Sequence, residues 1–546
     1  MIQLLALAAM SGFTTALSAP GPGLWPLAFF SLIPWAVATE RAQTNWRRFL
    51  VDYIWGVVFF GTIVYYLLFI TVLAYIPEVI IAPLFIVAAG FVYRNLRKIL
   101  PAAVALPLAW IAGEVLRTMH PFNYPWDLLG YSAAGWLDFA GVASIGGVFL
   151  LTFLFAFVSG TFVDFLRITT KKRWIGVIIS ILLIGGAALL GAKLRRNVGE
   201  IREGPKIACI QPNVEQALKE NSESFKEVWF RILDFVEIAA KQNADIITIP
   251  ETMLPVPVVR NLPADLAFDD STTVQTFNDI EKIHLQQLRN AAGREPWILT
   301  GALLYDTKPA RGGLPRPKNS VFLFDNNNKE VGRYDKIFMV PGGEAIPFIP
   351  EGAFADWIRD TLNPFTYGMV PDLLRGEKTQ VFEYQYPKTG GTVESVGTVR
   401  NERVKFGVSI CYDNVFTIPF REPARDGADF HIVLSNEGWF PNESWEMEAM
   451  LGFSAIRAIE TARSIVRCTN TGITCMVGPS GNLAKEFIQN EKRAGFAGVF
   501  FVRPPLCNAR TFYVVIGDRP FYFTAAAAAL IAIILAVWRR TSKPLG

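Results

Sequence analysis

Three residues able to carry acyl chemistry sit where strands are expected to end. Glu251 closes "IITIPE", Lys336 lies in "VGRYDKIFMVP" and Cys411 closes "GVSIC". A cysteine nucleophile needs a base for its proton and a cation for the oxyanion that forms when it attacks a carbonyl. Glutamate serves as that base in a low-dielectric site, and lysine supplies the charge. The set is chemically complete without histidine, and His120, His284 and His431 are far apart in sequence. Taken singly, each residue has an ordinary reading. Cys411 would be a buried core thiol, Glu251 a helix-start acid and Lys336 a solvated surface lysine. Their shared position at strand ends, where α/β folds place active groups, favours the chemical reading.

The elements that must position them follow from periodicity. "KIACIQ", "DIITIP", "WILTGALL", "VFLFD", "KFGVSIC" and "FHIVLSN" are short apolar runs that predict buried strands. Amphipathic stretches at 222–241 and 274–292 predict helices between them, and a long helical stretch at about 443–465 precedes "SIVRCTN". This is an α/β pattern. Residues 351–400 read as an irregular insertion or long loop.

Composition sets the frame. Of 546 residues, 51% are hydrophobic and only 18% charged, which points to a membrane protein. The net charge of +4, without a basic run interleaved with aromatics, excludes nucleic acid as a partner. The five cysteines fit no zinc spacing, and neither a G-x-S-x-G elbow nor a Walker-type loop occurs. No metal or cofactor is expected. Apolar segments at about 2–17, 24–39, 53–75, 79–93, 102–116, 139–165 and 175–194, with an eighth at 521–538, read as membrane spans. The first could pass for a signal peptide, but it lacks a charged start and more spans follow, so it is read as retained.

Basic residues gather after segments two (Arg41, Arg47, Arg48), four (Arg94, Arg97, Lys98) and six (Arg167, Lys171, Lys172, Arg173), and after the eighth (Arg539, Arg540, Lys543). The positive-inside rule then places both termini in the cytoplasm and the block between segments seven and eight outside it. The expected domains are 1–199 with seven transmembrane helices, 200–518 as an extracytoplasmic catalytic domain, and 519–546 as helix eight with a cytoplasmic tail.

The motifs "IPETMLP", "YDKIFMVPGGEAIPF" and "GVSICYDNVF", in that order, resemble the Glu, Lys and Cys motifs of the nitrilase, or carbon–nitrogen hydrolase, superfamily. With "YPWDLLGYS" (124–132), "CIQPNVEQALK" (209–219), "LSNEGWF" (434–440), "RAIETARSIVRCTNTGIT" (457–474) and the seven-plus-one spans, the chain resembles the apolipoprotein N-acyltransferase family over nearly its whole length. The resemblance implies a polytopic α-helical membrane domain of about eight helices carrying a nitrilase-like αββα sandwich.

It also implies roles: Glu251 as general base, Lys336 at the oxyanion, Cys411 as nucleophile, and Glu344 as a further acid near the triad. Tyr412, Asp413, Asn436 and Trp439 would support the site or bind substrate. Glu344 as a plain loop carboxylate and Trp439 as a packing aromatic are the rival readings. Three departures from the family pattern stand out: Asp413 where glutamate is usual, "FMVPGGE" where "HLVPFGE" is usual, and Glu220 where an aromatic often stands.

The implied reaction moves an acyl chain from a membrane phospholipid, through a Cys411 thioester, to the α-amino group of a diacylglyceryl-cysteine lipoprotein. The implied setting is the bacterial inner membrane, with the catalytic domain on the periplasmic side and a monomeric enzyme. Two alternatives stay open: a membrane-bound carbon–nitrogen hydrolase with water as acceptor, which Asp413 favours, and a non-catalytic lipoprotein-binding scaffold. A transporter is disfavoured, since Glu114, with Arg117 three residues on, is the main charge within the spans.

Overall fold

A computed structural model describes all residues except 71, 216–221, 269–271, 294, 308–314, 346–356, 358–360, 362–372, 389–399, 443 and 542–546. Glu220 and most of the 351–400 stretch lie outside the described residues. The chain forms two compact units. One comprises Met1–Asn197, Ser444–Glu460 and Thr511–Gly546; the other comprises Val198–Glu443 and Thr461–Arg510.

The first unit is helical. Among the described residues, four helices are long and apolar enough to cross a membrane: Ala74–Leu96, Ala143–Arg167, Arg173–Arg196 and Arg519–Trp538. Eight segments were expected; the first and fifth form shorter helices of 17 residues each, Ile2–Ser18 and Ala102–Thr118, and segments two and three are interrupted. Segment two is a 3-10 turn (Trp25–Phe29) followed by the short helix Ile33–Arg41, with prolines near both starts. Segment three begins earlier than expected, at Asn45, and stops at Ile63; a 3-10 turn (Tyr65–Phe69) and the helix Val72–Ile81 follow. Bases expected to be loop charges are tied to acids: Arg94 to Asp52 at 2.5 Å and Arg97 to Glu40 at 2.7 Å.

The expected helix near 443–465 forms over Trp445–Thr461, and all of it but Thr461 belongs to this helical unit. Buried residues recur along it without a polar stripe, so the sequence pattern alone does not tell which layer it joins.

The second unit is a sandwich. Its strands are β1 (Ile201–Glu203), β2 (Ile207–Gln211), β3 (Ile246–Ile249), β4 (Val258–Val259), β5 (Trp297–Tyr305), β6 (Lys318–Phe324), β7 (Glu330–Asp335), β8 (Val381–Lys388), β9 (Arg400–Ile410), β10 (Phe430–Ser435), β11 (Ser464–Thr469), β12 (Cys475–Val477), β13 (Leu483–Glu486), β14 (Gly498–Val502) and β15 (Pro505–Cys507). One sheet runs β14-β2-β3-β5-β6-β7 with β4 beside β5, a second runs β13-β12-β11-β10-β9-β8, and β1 pairs with β15. β2, β3 and β5 are mutually parallel, as are β9, β10 and β11.

Alternation of side chains sorts each strand's residues. Ile207, Cys209, Ile246, Leu299, Val321 and Leu323 meet Phe406, Val408, Ile432, Leu434 and Val466 between the two sheets. Their neighbours Ala208, Ile210, Ile247, Ile298 and Phe322 face the other way, onto the helices Ser222–Lys241 and Val274–Ala292. The first helix offers Phe225, Val228, Trp229, Ile232, Val236 and Ala239 as one stripe at helical spacing. Each such large side chain contributes about 1.5–3 kcal/mol on burial. The second starts on a Thr273 cap, whose hydroxyl accepts from Thr276 N at 3.3 Å.

The 351–400 reading needs one correction. β8 is a regular edge strand, antiparallel to β9, with Phe382 and Tyr384 turned into the core. The aromatic–polar alternation of "VFEYQY" carries that signal.

Candidate active site

Every expected site residue lies in the sandwich unit. Glu251 follows β3, Lys336 follows β7, Cys411 follows β9 and Asn436 follows β10. Parallel strands deliver Glu251, Cys411 and Asn436 from their carboxyl ends, where open α/β sheets place their sites. Lys336 reaches the same end because β6 and β7 form a hairpin: Ser320 pairs with Asp335, and Lys336 N donates to Asn319 O at 2.9 Å.

The charges converge. Lys336 Nζ lies 3.4 Å from Glu251 Oε1 and 2.8 Å from Glu344 Oε2. The lysine is 1% exposed. Burial works to lower its pKa, but the carboxylates of Glu344 and Glu251 outweigh this and hold it raised, so it stays a cation. Glu251 is oriented at both oxygens: Asn319 Nδ2 donates to Oε1 at 2.7 Å and the Asn436 amide donates to Oε2 at 2.8 Å. Glu344 accepts from Val340 N at 3.0 Å and from Asn319 Nδ2 at 3.1 Å.

Cys411 sits on a strained turn. Its φ is +47°, in the left-handed region that costs an L-residue about 1–2 kcal/mol. A 3-10 turn over Cys411–Val415 continues from it. Thr252, directly after Glu251, is also left-handed at φ +50°, unusual for a β-branched residue. Strain at both flanks of a charge cluster is a mark of a functional site. Burial pushes the Cys411 thiol well up, and the negative charge of Glu251 adds to this; Lys336 opposes it. A thiol so placed favours its protonated form, so a nucleophilic role for it would require a base beside it.

Asp413 holds the turn. Its carboxylate accepts from Tyr334 Oη at 2.7 Å, Phe338 N at 2.9 Å and Ile410 N at 3.1 Å, which ties the Cys411 turn to the Lys336 strand. Burial pushes its pKa up to about 6. Tyr412 is buried, edge-on to Phe416. The Asn436 side chain is occupied by the surrounding loops: its Oδ1 accepts from Gly438 N at 3.2 Å and Asn470 Nδ2 at 2.8 Å. Its backbone amide is what reaches Glu251. Trp439 is half-buried on the same loop.

Three residues of the site were not expected from sequence. Asn319, at the start of β6, touches both carboxylates. Tyr334 anchors Asp413. Gly301, in β5, allows close approach: a Cβ there would lie 2.7 Å from Glu251 Cα. "GALL" and "KNS" carry no chemical signature, and only the strand register brings them to the site.

Residues 206–499 match the carbon–nitrogen hydrolase family model. The chain belongs to the carbon–nitrogen hydrolase family. Residues 11–161 also match the model of the apolipoprotein N-acyltransferase N-terminal domain. Apolipoprotein N-acyltransferases from Chromobacterium violaceum and Vibrio parahaemolyticus are 27% and 26% identical to it, over 100% and 98% of this chain and 95% and 97% of theirs. These matches place it with the apolipoprotein N-acyltransferases of that family. A solved amidase from Nesterenkonia sp. is 15% identical, with a TM-score of 0.37 over 60% of this chain and 99% of its own.

Proposed function

We propose that this carbon–nitrogen hydrolase family member is a lipoprotein N-acyltransferase that works through a Cys411 thioester. The observation that carries the reading is the cluster itself: one buried cation between two oriented carboxylates, beside a thiol on a strained turn, in a chain whose helical unit is suited to lipid.

The steps follow from the positions. Glu251 takes the Cys411 proton as sulfur attacks the ester carbonyl of a membrane phospholipid. Lys336 stabilises the oxyanion. The glycerol oxygen leaves with the proton from Glu251, giving a lysophospholipid and a thioester. The α-amino group of a diacylglyceryl-cysteine lipoprotein then attacks the thioester and gives its proton to Glu251; the amide forms as sulfur leaves and takes that proton from Glu251, which restores the thiol and the free base. Glu344 keeps Lys336 charged and placed. Asp413 and Tyr412 support the turn, and Asn436 orients Glu251 through its amide. Trp439 is assigned to substrate contact.

The expected setting is the bacterial inner membrane with eight spans, both termini cytoplasmic, the sandwich outside, and a monomer. Intact-protein mass after incubation with phospholipid tests the first step. Release of the acyl chain to a diacylglyceryl peptide amine, rather than to water, separates acyl transfer from hydrolysis.

A further inference from the structure

We propose that Asn319 is a positioning residue of the reaction: it keeps Glu251 and Glu344 apart and proton-accepting while Lys336 turns to the oxyanion. The inference rests on the acyl-transfer reading above.

Asn319 and Lys336 bridge the same two oxygens. Nδ2 of Asn319 lies 2.7 Å from Glu251 Oε1 and 3.1 Å from Glu344 Oε1; Nζ of Lys336 lies 3.4 and 2.9 Å from the same pair. An amide nitrogen carries two hydrogens, one for each carboxylate. In the resting site the two carboxylates share one cation and one neutral side-chain donor, beyond the backbone amide that each accepts separately. Once an oxyanion forms, the lysine must share its charge with it, and its hold on the carboxylates weakens. Asn319 does not have to move.

The amide has one workable orientation. Asn319 is 3% exposed, and its Oδ1 is buried with no hydrogen-bond partner among the described residues. Turning the amide over would aim Oδ1 at two carboxylate oxygens, which is repulsive. The fold therefore bears an unmet acceptor in order to present both donors. The backbone fixes the residue as well, because Asn319 O accepts Lys336 N at 2.9 Å. One residue thus sets the place of the base, the second acid and the lysine.

The sign of a pH effect follows. Donors to a carboxylate favour its ionised form, so their loss makes the base take up its proton at higher pH. The other charges bearing on this group are Lys336, Glu344, Cys411 and Asp413, with Glu437 beyond, paired to Arg467 at 2.8 Å. None of them changes in the variants below.

The test uses the full-length chain in detergent. The rate of thioester formation from phospholipid is read by intact mass from pH 5 to 9 for wild type, Asn319→Asp and Asn319→Ala. Asn319→Asp replaces donors by a third negative charge; Asn319→Ala removes them. We expect both to slow acylation about 10²-fold at neutral pH, with little change in the phospholipid concentration that half-saturates the rate. The acid limb should move up by about one pH unit. Asn319→Ser, which keeps one donor, should fall between and stands in for any variant that does not fold. A uniform loss with the limb unmoved, or wild-type rates in folded variants, would overturn the inference alone. A wild type that never forms the adduct would overturn the acyl-transfer reading together with it.

Discussion

Two buried ion clusters, one in each unit, differ in what stands beside their charges. In the helical unit, Arg457 pairs with Glu460 at 2.6 Å and donates to Tyr131 Oη at 2.9 Å, all nearly fully buried. The other oxygen of Glu460 accepts from Val148 N at 2.9 Å. That amide is freed by a break in the helix at Gly147, where φ is +65° and a Cβ would collide with Tyr513. Glu460 is the anion paired with the Arg457 cation, and Asp518 is a further buried acid acting on it. In the sandwich, Lys336 meets two carboxylates, and a thiol stands beside them. The first cluster holds its helix in place. The second sets its carboxylates beside a thiol on a strained turn, an arrangement that suits proton transfer and that a structural ion pair does not need.

The comparison is broken most sharply at Lys336. Lys336→Met leaves Glu251 and Glu344 buried without their cation. We expect about 3–5 kcal/mol of lost stability in denaturant melts and no measurable acylation. Glu251→Gln separates chemistry from folding. The carboxamide keeps an acceptor for the Asn436 amide but cannot take a proton, so thioester formation should slow by about 10²–10⁴-fold with a near-normal melting temperature.

Arg457→Met is the converse. Removing one partner of the Arg457–Glu460 pair should cost about 3–5 kcal/mol of stability, while the pH limb of acylation in the protein that stays folded remains where it is. A shifted limb would mean that the two clusters are not the separate devices described.

The smallest effect concerns Asp413. Its folded pKa of about 6 lies above the ordinary value of 3.8, so the fold favours its neutral form. Its contribution to stability is therefore full below about pH 4 and lost as pH rises through 6, a decline of up to roughly 3 kcal/mol. Asp413→Asn cannot ionise, so its melting temperature should lack that decline. An unchanged slope between pH 4 and 7 would remove Asp413 as its source.

Much of this was legible in the sequence. The helices 222–241 and 274–292 show one apolar stripe each. The strands before Glu251, Cys411 and Asn436 are short apolar runs between turn residues. What stayed hidden depends on pairing. Asn319 reaches the site only because β6 runs antiparallel to β5, with Asn319 opposite Leu303, near the end where β3 delivers Glu251. Trp445–Thr461 is apolar on too many sides to reveal which layer takes it. Segment three looks continuous by hydropathy, yet its helix stops at Ile63 and a 3-10 turn follows at Tyr65–Phe69, because hydropathy does not register a 3-10 turn.

The most direct test of the central claim is the intact mass of the purified chain after incubation with a phospholipid of known acyl composition, followed by addition of a diacylglyceryl peptide. The account predicts a gain of one acyl mass on Cys411, its loss on addition of the peptide with the amide appearing on the peptide amine, and neither event in Cys411→Ala. An acyl adduct that persists in Cys411→Ala, or a wild type that gains no mass from any phospholipid, would contradict it.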